Sequence, residues 1–322
     1  MFEAPGAIAA TRGLAAEIAP PERCWTFDPH GVPLNVLEWG DPAARPIVLC
    51  HGMLDHARGF DLIAPLLATR YRVIAFDARG HGDSGWADAY FWPLDIADLV
   101  ALLLKLGGGV HLLGHSRGGG LAMDAAAAAG PGVVRQLVNI DGFGPPPEGF
   151  VPPGMAPDSR TPAERFTGWL DTRRATRAPI TDPTSPAART GFRTYPSIEE
   201  LVRRRAAANP RLGGEWLRHF VQLGSRLTET GWVWKADPGV VRGFGPFRVE
   251  WVTRGWSHLS CPLLAVIGGE PDTWGPLPEK ILAERLALVP EVERATIAGA
   301  GHFVHMERPV EMANLLLEWL DR

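Results

Sequence analysis

The chain is short of cysteine: Cys24, Cys50 and Cys261 are its only three in 322 residues. An odd number at scattered positions, with no Cys-x-x-Cys and no Cys/His spacing, argues against a disulfide framework or a zinc site and fits reduced core thiols. An excess of charge is missing too, since 32 Lys+Arg against 36 Asp+Glu leave a net −4. That balance offers no electrostatic basis for binding nucleic acid or an anionic membrane. No apolar run approaches the roughly 18 residues that a membrane-spanning helix needs. The opening stretch MFEAPGAIAATRGLAAEIAP lacks a basic start and is interrupted by Glu3, Arg12 and Glu17, so no secretory signal is expected. The expectation is a soluble cytoplasmic protein, with 46% hydrophobic residues to fill a core.

What is present is a rhythm of strand-like and helix-like runs. CWTFDPHGVPLNVLEWG reads as a hairpin turning at His30-Gly31. PIVLCHG and YRVIAFDARG are continuous apolar runs, as strands covered on both faces require. GFDLIAPLLATR and WPLDIADLVALLLKLG show helical spacing, and Gly107 ends the second. GVHLLGHS, RGGGLAMDAAAAAG and VVRQLVNIDGFG continue as strand, helix and strand. Such alternation predicts βαβ units and a mostly parallel sheet. From about Pro145 to His258 the rhythm breaks into a proline- and arginine-rich stretch with helical segments, then resumes at CPLLAVIGGE. The expected organisation is an α/β core over 1–144 and 259–322, with a helical cap over 145–258 inserted between two strands. Such a cap would cover the carboxyl edge of the sheet, where open α/β sheets bind ligands.

The stretch LLGHSRGGG sets Ser116 between glycines, after an apolar strand and before a helix. Gly114-His115-Ser116-Arg117-Gly118 fits the Gly-x-Ser-x-Gly nucleophile elbow in the context that gives that pattern meaning. A strand turning into a helix within one residue strains the serine backbone, and Gly114 and Gly118 let neighbouring turns pass without a clash. The hydroxyl then stands at a helix head, where free N–H groups favour developing negative charge.

A serine nucleophile needs a base, an acid behind the base and donors for the oxyanion. His302, in AGAGHFVHMERP between the last strand and the last helix, is the base candidate. His305 and His115 are its neighbours and are expected to pack. For the acid, Asp272 in VIGGEPDTW ranks first, with Asp141 at the end of LVNIDGFG as the alternative and Glu270 third. The oxyanion donors are expected to be the N–H groups of Arg117, after the nucleophile, and of Met53, in HGMLDH after Gly52. HGMLDH lacks a preceding His-x-His, so a metal role is set aside, and no cofactor is expected.

These motifs together, CHGMLDH, DARGHGDSG, GHSRGG, GGEPD and GAGHFVHMERP, resemble the α/β-hydrolase superfamily over Cys24 to about Asp141 and from about Cys261 onward. HGMLDHARGFDLIAPLL with GWVWKADP looks most like its serine-hydrolase-like proteins and capped esterases. The resemblance implies a Ser–His–acid hydrolase with a cap shaping the site. It also makes the Asp77–Ser84 turn structural. Members with other chemistry, the epoxide hydrolases and haloalkane dehalogenases, carry aspartate at the elbow. Six tryptophans fall in the expected cap: Trp169, Trp216, Trp232, Trp234, Trp251 and Trp256. Aromatic walls suit an apolar or aromatic ester. The arginine run LVRRRAAANPR is expected to be a solvated helix face. The same triad would serve a lactonase or a carbon–carbon bond hydrolase, and a non-catalytic ligand receptor is the alternative outside enzymology.

Overall fold

A computed structural model of the chain describes residues 18–144, 193–242 and 253–322, with a few positions between 161 and 171. Trp169 and Trp251 lie outside the described residues. Eight strands form one sheet in the order β1-β2-β4-β3-β5-β6-β9-β10. β1 (Arg23–Phe27) and β2 (Leu34–Trp39) are the expected hairpin, and β2 runs antiparallel to β4 (Arg72–Phe76). From β4 onward the pairing is parallel through β3 (Pro46–Cys50), β5 (Val110–His115), β6 (Val134–Ile140), β9 (Leu263–Gly268) and β10 (Val292–Ile297). β3, β5 and β9 are buried along nearly their whole length, which is why they read as continuous apolar runs.

Helices cover both faces. On one side lie α1 (Trp92–Lys105) and α2 (Arg117–Ala129), with a core that includes Val48, Leu99, Leu112, Met123 and Leu263. α5 (Glu279–Leu286) adds Leu282 to the same core. The alanines of α2 leave no bulk between helix and sheet: Ala122 and Ala125 are fully buried. On the other side the last helix, α6 (Pro309–Leu320), packs Met312, Leu316 and Trp319 against Leu49, Val138 and Leu264. GFDLIAPLLATR is not the single helix that its spacing predicts. It forms a 3₁₀ turn over Ala57–Phe60 and one helical turn over Ala64–Leu67. Pro65 has no N–H to give and breaks the run. The Asp61 carboxylate is engaged there by Arg58 at 2.7 Å and by His219 at 3.0 Å.

Between β6 and β9 the insert contributes α3 (Ile198–Ala208), α4 (Gly214–Leu223) and a hairpin of β7 (Ser225–Thr228) and β8 (Gly231–Trp234). α3 starts at Ser197, whose hydroxyl accepts the Glu200 N–H at 3.3 Å. Leu201, Trp216, Leu217 and Phe220 of the insert pack on Leu62, Phe303 and Met306 of the body. The hairpin edge attaches elsewhere, through Tyr90 donating to Asp237 at 2.5 Å and Lys235 to Asp83 at 2.7 Å. Trp256, grouped with the cap in the sequence reading, packs fully buried in the body core beside α2 and donates to Asp124. Among the described residues no helix is long and apolar enough to cross a membrane.

Candidate active site

Ser116 stands between β5 and α2 with φ 53° and ψ −122°, a strained conformation for a residue with a side chain. The glycines that permit it are packed to contact. A Cβ at Gly114 would lie 2.0 Å from the Gly118 carbonyl oxygen, and one at Gly118 would lie 2.2 Å from the Cys50 carbonyl. A third glycine was not singled out in the sequence: a Cβ at Gly142 would lie 2.2 Å from the Ser116 carbonyl. The turn between strand and helix is therefore braced on both sides by the ends of β3 and β6. Its serine carbonyl accepts the N–H groups of Gly119 and Gly120 at 2.9 and 3.2 Å, starting α2. At a helix head the first N–H groups have no intrahelical acceptor, and that of Arg117 is among them.

His302 reaches this turn from three strands away. After β10 the chain doubles back across the end of β9, where a Cβ at Gly268 would lie 2.1 Å from the Gly301 carbonyl oxygen. Glu270 N–H binds the Ala300 carbonyl at 2.9 Å in the same crossing, its part in this loop being backbone only. The crossing brings His302 over β6, whose end carries Asp141. His302 Nδ1 and Asp141 Oδ2 are 2.6 Å apart, and both side chains are buried. Asp272, ranked first from sequence as the partner of the ring, instead accepts the backbone N–H of His302 at 3.0 Å. It fixes the loop, while Asp141 fixes the ring. The physical reason is strand order: β6 lies next to β5, and β9 is one strand farther from Ser116. Asp141 itself has φ 46°, so the chain bends sharply at this carboxylate. Burial pushes the Asp141 carboxyl above the usual range, while the hydrogen bond from His302 opposes that and favours the charged form.

His115, His305, His51 and His56 are all buried nearby. His115 donates from Nε2 to the His302 carbonyl at 3.0 Å, with its ring 4.5 Å from His305 and 4.8 Å from His302. It thus ties β5 to the loop that carries His302, a role beyond the packing expected of it. His305 is buried beside Phe60, and burial holds it neutral, with its pKa pushed down to about 3. His51 and His56 do not converge. His51 donates to the Gly52 carbonyl and accepts the Ala78 N–H, while His56 turns to the Phe220 carbonyl at 2.9 Å. Asp77, in the Asp77–Ser84 turn, is a hub, accepting from Ala57, Asn35 and Asp83. Met53 sits in the turn after Gly52, where Asp55 N–H returns to the Gly52 carbonyl at 3.3 Å.

The arginine run divides. Arg203 and Arg204 stay on the exposed face with Glu200, at 2.8 and 2.7 Å. Arg205 turns inward to Asp55, and Arg211 to Glu307 at 2.7 Å and the Gly299 carbonyl at 2.9 Å. Helix phase alone could not reveal this, because Asp55 and Glu307 lie far from the run in sequence.

The sequence profile of the alpha/beta hydrolase family matches residues 47–315. The chain is 25% identical over 289 residues to a mouse (Mus musculus) protein named sn-1-specific diacylglycerol lipase ABHD11, covering 89% of this chain and 84% of that one. It is 29% identical over 239 residues to Esterase Rv0045c of Mycobacterium tuberculosis, covering 73% and 70% respectively. Among solved structures, the thioesterase domain from the curacin biosynthetic pathway superposes with a TM-score of 0.74 at 21% identity, covering 92% of this chain and 99% of that one. The fold is thus shared with that thioesterase domain, and the chain belongs to the alpha/beta hydrolase family.

Proposed function

We propose that the protein is a serine hydrolase of carboxylic esters with apolar or aromatic character, working through Ser116, His302 and Asp141 and without a cofactor. The observation that carries this reading is the buried 2.6 Å contact between His302 Nδ1 and Asp141, on a loop bonded through His115 to the strand that ends at the strained Ser116. With Nδ1–H given to Asp141, the imidazole has its Nε2 lone pair free to take the serine proton. Ser116 Oγ then attacks the ester carbonyl, and the N–H groups of Met53 and Arg117 receive the oxyanion. Asp141 stabilises the imidazolium. His302 returns the proton to the leaving alcohol, and water repeats the two steps on the acyl-enzyme. Asp272 serves this cycle at one remove, by holding the His302 amide. The insert is the cap under which substrate binds, and its aromatic content favours apolar acyl or aryl groups. The names of the relatives, a lipase and an esterase, agree with ester chemistry.

The test is hydrolysis of p-nitrophenyl esters from acetate to dodecanoate by the parent protein and by Ser116→Ala. Serine-dependent turnover with a chain-length optimum is expected, and the loss in kcat should be roughly 10⁶-fold, as in a serine protease stripped of its nucleophile. Turnover that survives Ser116→Ala would remove the mechanism. Absence of turnover on every ester, with labelling of Ser116 by a lactone or a ring-cleavage substrate, would move the reading to a lactonase or carbon–carbon hydrolase.

A further inference from the structure

The turn that carries Met53 is strained in its own right. Asp55 N–H closes it on Gly52, and Leu54, in its third position, has φ 59°. That position favours glycine, and a side-chain-bearing residue there costs about 1–2 kcal/mol. Strain of this kind persists only where the surroundings over-determine it. Two tethers come from the body: Ala78 N–H to His51 at 3.0 Å before the turn, and Ala57 N–H to Asp77 at 2.7 Å after it. Two more come from the insert. Arg205 of α3 binds the buried Asp55 carboxylate at 2.5 Å, and the Phe220 carbonyl of α4 takes His56 at 2.9 Å with the rings stacked at 4.5 Å.

Arg205 is held as well as holding. Its guanidinium lies over the Phe220 and Phe303 rings at 5.0 and 5.7 Å. Asp55 sits where a Cβ at Gly52 would meet both its carboxylate, at 2.8 Å, and His115 Nδ1, at 3.0 Å. Asp55 is therefore wedged between the insert and the elbow strand. A buried carboxylate needs its partner, and the only cation bonded to this one among the described residues belongs to the insert.

We propose that Arg205 is a positioning residue: by gripping Asp55 it holds the strained turn so that the Met53 N–H faces the oxyanion. The insert then completes the oxyanion hole as well as covering it. This rests on the serine-hydrolase reading above. Movement of α3 away from the body would loosen the turn, so that cap closure and catalytic competence form one event.

The experiment compares the parent with Arg205→Met, Arg205→Lys and a control, Arg218→Ala, which removes only the exposed Arg218–Glu199 pair at 2.9 Å. Two readouts are taken: the rate at which a fluorophosphonate labels Ser116, followed by intact mass, and amide hydrogen exchange over residues 51–60. Arg205→Met should label about 10²-fold more slowly, the loss expected when one oxyanion donor is displaced. Exchange over 51–60 should quicken while β5 stays protected. Arg205→Lys should recover part of both, and Arg218→Ala should match the parent. A folded Arg205→Met that labels and exchanges at the parental rate overturns the proposal and leaves the hydrolase reading standing. A parent that is never labelled overturns both. Should Arg205→Met fail to fold, Asp55→Asn keeps the side-chain shape and is judged by the same two rates.

Discussion

Asp141 and His302 stand 161 positions apart in the chain, and their side chains meet at 2.6 Å. The meeting depends on the loop after β10 folding back over β9, and Asp272 pins that loop by accepting the His302 N–H at 3.0 Å. One carboxylate orients the ring and the other orients the backbone that bears it. Their unequal tasks should separate in kinetics.

Asp141→Asn should lower kcat by roughly 10⁴-fold, as neutralising a triad acid does, because an asparagine amide favours the wrong imidazole tautomer. Asp272→Asn keeps a carbonyl oxygen for the His302 N–H and should cost less than about tenfold, on the scale of one altered hydrogen bond. Steady-state kinetics on a single p-nitrophenyl ester decide between them. A larger loss in Asp272→Asn would reverse the two assignments.

Gly275 is a second probe of the pair. A Cβ there would lie 2.0 Å from Asp141 Oδ2 and 3.1 Å from His302 Nδ1. Gly275→Ala should displace the carboxylate and reduce kcat about 10²-fold, the order associated with a misplacement near 1 Å. Thermal unfolding should stay close to the parent's. Parental kcat in this variant would show that the loop yields and the pair does not.

Asp124 gives a pH signature in stability. Its carboxyl sits among indoles, accepting from Trp92 at 2.6 Å and Trp256 at 3.3 Å, and burial pushes its pKa up to about 6. The unfolded value is about 4, so between about pH 4 and 6 the folded state holds a proton that the unfolded state has lost. The stabilising contribution is complete below about pH 4 and disappears as the pH rises through about 6, amounting to about 2–3 kcal/mol. Asp124→Asn carries no charge to bury and should gain on the parent above pH 6. Urea unfolding of both proteins from pH 4 to 8 checks the sign. Parallel curves would refute the assignment.

Asp98 and Arg79 form a buried fork, with both oxygens engaged at 2.7 Å. Asp98→Ala strands the guanidinium and should cost about 3–5 kcal/mol in urea unfolding. The double replacement Asp98→Leu with Arg79→Met should recover most of that loss. Equal losses in single and double variants would contradict the explanation.

Much of this molecule is legible in its sequence, for reasons that differ by part. The inner strands show as unbroken apolar runs because both faces are covered. The elbow shows because a strand-to-helix turn tolerates only glycine on either side of Ser116. His302 shows by its place after the last strand. The choice between Asp272 and Asp141 does not, because it depends on which strand pairs beside β5 and on a loop that crosses at Gly268. Arg205 is equally hidden: in LVRRRAAANPR it reads like Arg203 and Arg204, and only the packing of α3 on the body separates them. In GFDLIAPLLATR the apolar spacing is helical on both sides of Pro65, so periodicity alone does not show that the run divides into two short turns.

The glycine contacts beneath Ser116 also bear on how the protein can be engineered for durability. Replacing glycine with alanine usually adds about 0.4–1 kcal/mol by stiffening the unfolded chain, provided the site has room. At Gly114, Gly118 and Gly142 there is none, since backbone atoms lie within 2.2 Å of where the methyl would go. Gly213, at the entry to α4, has an extended backbone with φ −159° and nothing within 4 Å. A serine there would stiffen the linker and offer the helix an N-terminal acceptor. Robustness can be added to this molecule in its insert, while the elbow is already as tight as a polypeptide allows.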